Sequence, residues 1–414
     1  MTAYHVTIIG SALSGNKGAA AMLESAVQTL DERLGAGNVR YSLLSMYPAE
    51  DRAQNPYPHV EVIPASPRQL GVTINLLALL YRLLPPLRSL LRRRSRAVGA
   101  LATSQVLLDQ GGITFTDGRE KFLLYNVASI LPAFFTGTPV FKCAQAIGPF
   151  HNPVNRRAAL MFLPRVDTIV TRGRITHDFA TGLGLTNIVA GADYAFSLQL
   201  DGTEITALAS MYDLSFFDGG AVVGVCPSVV LQKKVDARGG DYVGQMVAFI
   251  DALTADGRKV LLLPHSVRTG TDKVHNNDLP LCREIHARLS RAKDVLFVDR
   301  ELSSQQLRAL IGLCGTFVAS RFHAMVSSLS MAVPTLVIGW SHKYREVLEM
   351  FGSEEWAFGH DKLTPAFLLE RFGDLELRQA EVKSQLLERL PDVRRTSVAQ
   401  ADLIAELVLR RAAA

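Results

Sequence analysis

The chain has little of what holds small or extracellular folds together. Its four cysteines, Cys143, Cys226, Cys282 and Cys314, are scattered over 414 residues and form no Cys-x-x-Cys pair, which excludes a zinc knuckle and a dithiol redox centre and leaves reduced, buried thiols as the plain expectation. It also lacks a long unbroken apolar run. Leu70 to Leu91 is rich in leucine, yet Arg82, Pro85, Pro86 and Arg88 interrupt it, whereas a membrane-spanning helix needs about 20 mostly apolar residues. Tyr4 to Gly10 already reads as a strand, with no room before it for a charged segment, an apolar stretch and a cleavage site; the expected location is the cytoplasm. No grouping of His, Cys, Asp and Glu has metal-ligand spacing. His275-Asn276-Asn277-Asp278 is contiguous and reads as a solvated loop, with ligand contact as the alternative. Neither a metal nor a cofactor is expected.

What is present is globular. Apolar residues make up 48% and charged residues 20% of the chain, and the formal charge of +5 is too modest to imply nucleic acid. The length favours two domains of about 150–200 residues each.

Short β-branched runs alternate with helical patterns. Val6-Thr7-Ile8-Ile9 precedes a glycine loop and a helix from about Ala19 to Leu34. Val106-Leu107-Leu108 runs into Asp109-Gln110-Gly111-Gly112, Pro139 to Lys142 leads to Gln145-Ala146-Ile147-Gly148-Pro149, and Thr168 to Thr171 ends at Arg172. After a less regular stretch, residues 197–219, the alternation restarts with Ala221 to Cys226 and runs through Lys259 to Leu263, Val295 to Val298, Thr316 to Ala319 and Thr335 to Ile338. This predicts two consecutive doubly wound, Rossmann-like α/β domains, residues 1–200 and 215–362, facing across a cleft. A helical tail, 363–414, is predicted to pack back on the first domain.

The sharpest chemical signal is Thr316 to Met325, a buried strand that turns directly into a helix through Ser320-Arg321-Phe322-His323. Such a turn lies at the carboxyl edge of a parallel sheet, where unbonded N–H groups and the helix dipole favour an anion. Arg321 adds a fork for phosphate or carboxylate, and His323 adds a group that moves protons near neutral pH. The alternative is an Arg321 paired within the protein and a His323 that packs.

The run Ser320 to Thr335 resembles the C-terminal block of the polysaccharide pyruvyl transferase family, an Arg-aromatic-His followed by a small-residue helix and Val-Pro. Further similarities follow in order: Gly15-Asn16-Lys17-Gly18, Gly111-Gly112 with Asp117, Gln145 to Pro149, Thr171-Arg172, and Ala192-Asp193-Tyr194-Ala195-Phe196. The chain departs from the family pattern at Ala19-Ala20-Ala21, where acidic residues are frequent, and at Gln110, where a third glycine is common.

The resemblance implies a two-domain fold of the GT-B type and transfer of the pyruvyl group of phosphoenolpyruvate, as co-substrate, to a sugar. It implies His323, Arg321 and Arg172 as catalytic, with Ser320 and Phe322 beside them around the donor; His342 and Lys343, after the Thr335 to Trp340 segment, read either as further support for a donor phosphate or as a solvent-exposed turn. Asn16, Lys17, Gly112, Asp117, Gln145, Asp193 and His265 are the acceptor candidates; for Asp117 and Asp193 a capping role competes, and for Asn16-Lys17 a plain backbone turn. The acceptor is expected to be a cell-surface or lipid-linked saccharide. Leu91-Arg92-Arg93-Arg94-Ser95-Arg96 sets a basic cluster beside the leucine-rich segment, so residues 70–96 are read as an element on an anionic inner-membrane surface, as a cover of the first domain, or as a subunit contact. Two rival functions remain open: a nucleotide-sugar glycosyltransferase on the same architecture, and a non-catalytic glycan-binding protein.

Overall fold

The computed structural model describes residues 3–219, 222–268, 276–339 and 342–413. The chain divides into two compact units. The first takes the chain through Ser14, then Met22–Ser197, and then from Arg395 onward; the second takes Gly15–Ala21 and Leu198–Arg394.

The first unit is built on a seven-stranded, all-parallel sheet of β1 (Tyr4–Ile9), β2 (Val39–Ser45), β3 (Val60–Pro64), β4 (Val106–Asp109), β5 (Val140–Gln145), β6 (Thr168–Arg172) and β7 (Ile188–Gly191), in the order β3-β2-β1-β4-β5-β6-β7. The second has six parallel strands, β8 (Val223–Cys226), β9 (Val260–Leu262), β10 (Val295–Phe297), β11 (Thr316–Ala319), β12 (Thr335–Gly339) and β13 (Ala357–Gly359), in the order β10-β9-β8-β11-β12-β13. Both are doubly wound, and each has a switch point where the strand order reverses: between β1 and β4 in one, between β8 and β11 in the other. Central strands such as β4, β8 and β11 are buried at every position, which is why they read as continuous apolar runs rather than as alternating ones.

Two expectations are redrawn. Residues 197–219 are not a bare linker: Thr203–Ala209 is a helix of the second unit that packs against Ser304–Gly312. The tail is divided between the units. Pro365–Leu377 packs against Tyr242–Ala255, with Phe372 edge-on to Phe249, in the second unit, while the long helix Gln379–Ala412 passes from the second unit to the first at Arg395. In the first unit, that helix is held by Ser397 and Gln400, whose side chains donate to the carbonyls of Asp193 and Ala192. Among the described residues no helix is long and apolar enough to cross a membrane.

At the amino edge of the first sheet, the buried His5 ring lies between Ser42 Oγ (2.9 Å from Nε2) and Thr103 Oγ1 (2.9 Å from Nδ1), with the Arg40 guanidinium 3.0 Å from Nδ1. Burial, then the Arg40 charge, lowers its pKa from 6.5 to about 4. In that interval the unfolded chain binds a proton that the folded state refuses. Unfolding free energy therefore falls as pH drops from 6.5 towards 4, by up to about 3 kcal/mol; denaturant titrations across the interval should show this, and His5→Gln should flatten it.

Candidate active site

Ser320, Arg321, Phe322 and His323 follow β11 at the switch point of the second sheet. The Ser320 N–H bonds to the carbonyl of Cys226 at the end of β8, and Arg321 is the residue that precedes the helix Phe322–Ser330. His323 therefore sits in the first turn of a helix whose dipole is positive at that end.

A second helix start meets it there. Asn16 leads into Lys17–Leu34: its carbonyl accepts the N–H of Ala19 and its side chain that of Gly18. The residues around Asn16 and Lys17 belong to the second unit, tied by a bridge between Asn16 and Ser266 and by the N–H of Val267 donating to the Gly15 carbonyl. Gly18 shows why glycine stands here. A Cβ at this position would lie 2.0 Å from His323 Nδ1, so the imidazole rests directly on the helix backbone. Asn16 and Lys17, expected on the acceptor side because β1 lies in the first sheet, are thus grouped with His323.

The surroundings are cationic. Lys17 is buried and pairs with Glu301 at 2.8 Å, and the Gly15 N–H donates to the same carboxylate. Arg308 is buried and donates to the Leu198 carbonyl. His265, at the end of the strand region after β9, is 3% exposed. Burial first, and then the charges of His323, Arg321, Arg308 and Lys17, push its pKa well below 6.5. It is a neutral ring, suited to hydrogen bonding and not to delivering a proton.

Arg321 is committed to Asp278. Its Nε donates to Asp278 Oδ2 at 2.8 Å and its Nη2 to Oδ1, while Nη1 donates to Asn276 Oδ1 at 2.7 Å. Burial opposes the guanidinium charge, but the Asp278 carboxylate more than offsets this and raises the pKa. The expectation of a solvated loop over 275–278 is corrected for Asn277 and Asp278, both buried: Asp278 also accepts the N–H groups of Val229 and Ser266, each at 3.0 Å. His275 lies outside the described residues, as does the side chain of His342. Lys343 Nζ stands 4.9 Å from the centroid of the Phe322 ring and 5.2 Å from that of Tyr344.

The remaining candidates lie in the first unit, around its own switch point. Gly10, with φ +80°, and Gly111 approach so closely that a Cβ on Gly10 would lie 2.6 Å from the Gly111 nitrogen. Arg172, 1% exposed, pairs through Nη1 with Asp193 Oδ2 at 2.8 Å, and a Cβ on Gly112 would lie 3.8 Å from that Nη1. Asp193 Oδ1 takes the N–H of Ala195, so Asp193 both caps a turn and neutralises Arg172. Gln145 is engaged at both ends, accepting from Thr114 Oγ1 at 2.7 Å and donating to the Asp109 carbonyl at 2.7 Å. Asp117 accepts the N–H groups of His151 and Asn152 and a bond from Asn155, which makes it a cap for the following loop and helix. A buried ion pair, Lys142 with Asp109, lies beside them. It escaped the sequence reading, as did Glu301 and Arg308; Lys142 and Asp109 fall on neighbouring strand positions that a β4–β5 register would have paired.

Two Rossmann-ordered units with residues gathered at both switch points define a two-domain α/β protein of the GT-B type. Solved structures share this fold. A UDP-GlcNAc 2-epimerase from Neisseria meningitidis aligns over 98% of this chain and 100% of its own with a TM-score of 0.64 at 12% identity. Os79 from O. sativa, solved with UDP, aligns over 97% and 99% with a TM-score of 0.58, also at 12% identity. At such identities the likeness speaks for the fold alone. Residues 16–342 match the family model for polysaccharide pyruvyl transferases, and the chain belongs to that family. The amylovoran biosynthesis protein AmsJ of Erwinia amylovora is 21% identical over 263 residues, a match that covers 62% of each chain.

Removing the Asp278 charge should isolate a buried guanidinium. Asp278→Asn is expected to cost about 3–5 kcal/mol, read as a lowered Tm, and Asp278→Asn combined with Arg321→Met to recover part of it, since the two changes together leave no buried charge unpaired.

Proposed function

We propose that this chain transfers the pyruvyl group of phosphoenolpyruvate to a sugar of a cell-surface or lipid-linked glycan, forming a cyclic ketal and releasing phosphate. The observation that carries this reading is the seat of His323: an imidazole pressed against one helix start and placed in the first turn of another, close to His265, around which Lys17, Arg308 and Arg321 also gather. A small donor bearing a carboxylate and a phosphate needs fixed positive charge wherever it is desolvated. The two helix starts supply partial positive charge there, while Lys17 and Arg321 are already paired with Glu301 and Asp278, and membership of the family supports pyruvyl transfer as the chemistry.

In this mechanism His323 delivers a proton to the methylene carbon of the donor, leaving oxocarbenium character at the adjacent carbon. A sugar hydroxyl adds there and gives up its proton. Phosphate then leaves with the C–O bond electrons, and a second hydroxyl closes the ring as its proton passes to the departing phosphate. The two helix starts stabilise the departing charge. His265, held neutral, serves as a hydrogen-bonding partner. Arg321 acts as a positioning residue that holds the turn carrying His323, with Ser320 and Phe322 on the same turn and Lys343 over the Phe322 ring. Arg172, paired with Asp193, positions the glycine loop at Gly112 in the first unit, and Gln145 and Asp193 order that same sheet edge.

Phosphoenolpyruvate should raise the Tm of the protein more than UDP-sugars do, and phosphate release from it should require a saccharide acceptor. His323→Ala is expected to lower that release by about 10²–10⁴-fold with Tm unchanged. Stabilisation by a UDP-sugar but not by phosphoenolpyruvate would sink the reading, and so would acceptor-independent silence across a panel of lipid-linked sugars. Gly18→Ala offers a second check: its Cβ would lie 2.0 Å from His323 Nδ1 and 2.5 Å from His323 Cβ, so ring and helix must shift, which should lower Tm by the cost of overpacking and turnover on the order of 10²-fold.

A further inference from the structure

From Val62 to Leu108 the chain contains seven arginines, no lysine and no acidic residue. The whole protein carries only +5, so the rest of it is net negative and the positive charge is concentrated here. The segment is folded as helices Asn75–Leu83, Arg88–Arg94 and Arg96–Thr103, preceded by a wide helical turn at Gln69–Ile74. Leu70, Ile74, Ala78, Leu91 and Val98 face inward and join the core of the first unit.

The outward side is apolar as well. Among the described residues, six of the seventeen large apolar side chains with high exposure lie between Val72 and Leu90. Leu76 and Leu83, seven positions apart and so on one helix face, are 52% and 63% exposed. Leu83-Leu84-Pro85-Pro86-Leu87 is an unbroken apolar run with every residue exposed. Such a patch, rimmed by Arg82, Arg92, Arg93 and Arg94, is not what a freely solvated cover looks like.

Immediately beside it is a cavity of about 450 Å³ lined by Arg40, Arg92, Arg93 and Arg96, with His5 and Glu61. Glu61 is taken up by Arg96, His5 is held neutral by burial and by Arg40, and among the described residues no carboxylate pairs with Arg92 or Arg93. The cavity therefore has a surplus of guanidinium groups facing solvent, and Arg88–Arg94 carries both its arginines and the exposed Leu90.

We infer that this face docks on an anionic bilayer, with Leu83, Leu84 and Leu87 entering the headgroup and acyl boundary and a lipid phosphate seated among Arg40, Arg92 and Arg93. Charge complementarity selects the occupant: an apolar ridge with a basic rim and an open basic cavity roomy enough for a lipid headgroup fits a phospholipid surface. The inference is independent of the pyruvyl-transfer reading, since it uses none of the residues assigned to that chemistry.

The test is co-sedimentation of the full chain with vesicles of equal parts phosphatidylglycerol and phosphatidylcholine, against phosphatidylcholine alone. Binding is expected to the anionic vesicles only, and to weaken with salt. Arg92→Ala with Arg93→Ala should lower the partition coefficient roughly 30-fold. Leu83→Ser, Leu84→Ser and Leu87→Ser together should lower it by at least about 10-fold, with Tm unchanged in both variants because all five side chains are exposed. The inference is overturned if the chain stays in solution with anionic vesicles, or if both variants bind as the parent does. It also fails if light scattering finds a dimer that the leucine variant dissociates, which would assign the face to a second copy. A Tm shift with glycerol phosphate in the absence of vesicle binding would assign the cavity to a free anion and overturn it equally.

Discussion

The Asp278 carboxylate is the fixed point of the second unit's ligand edge. It accepts the N–H of Val229, which opens the helix after β8, the N–H of Ser266 in the loop after β9, and two N–H groups of Arg321 after β11. Those strands are neighbours in the sheet, so one buried anion ties three successive strand-end loops together. Arg321 in turn fixes where the helix Phe322–Ser330 begins, and thereby where His323 stands. A buried ion pair is a poor source of stability, because desolvation consumes much of the Coulombic gain. Four hydrogen bonds of fixed direction are, however, a strong source of geometry. Leu or Met in place of the pair would pack well enough, but nothing would then hold the loops in register.

The first unit uses the same device with different residues. Asp51, fully buried, accepts the N–H groups of Leu13 and Ser14 and the hydroxyls of Ser14 and Ser45, which joins the loop after β1 to the end of β2. Asp109 and Lys142 link β4 to β5, and Arg172 and Asp193 link the end of β6 to the turn after β7. Gln145 bridges the same edge between Thr114 and the Asp109 carbonyl. In both units most of these polar groups gather where parallel strands end, where side chains from several strands can converge without entering the apolar layers.

The sequence was most legible where this convergence is local. A buried strand running straight into Ser320-Arg321-Phe322-His323 declares its place at the sheet edge, and the central strands β1, β4, β5, β6, β8, β9, β11 and β12 announce themselves by continuous apolar runs. β2, β3, β7 and β13 did not. β2 contains Ser42 and Ser45, both buried, and they suit a strand only because His5 and Asp51 satisfy them from distant positions. β3, β7 and β13 are edge strands of three to five residues, with exposed or half-buried positions that blur the pattern. The partners of the site were hidden for a related reason. Asp278 follows two asparagines in what composition marks as a loop, and Glu301 and Arg308 lie far along the chain from Lys17 and Leu198, so pairing them requires the fold. Gly18 is the sharpest case: its glycine character is explained by a ring three hundred residues away.

Sheet polarity also orders the two ends of the first unit. Its switch point, with Gly10, Gly111, Gly112 and Arg172, lies at the carboxyl ends of the strands, whereas His5, Arg40 and Glu61 sit near the starts of β1, β2 and β3. Because all strands are parallel, these two sets of residues occupy opposite edges of one sheet. Loops at the carboxyl edge are constrained by the polar network that converges there, and a bulky apolar element inserted among them would displace it. At the amino edge the polar cluster is the smaller one of His5, Ser42, Thr103 and Arg40, and the arginine-rich helices bury Leu70, Ile74, Ala78 and Leu91 against the core beside it. The fold therefore admits an exposed, strongly basic surface at one edge of the sheet while the polar network at the other edge stays intact.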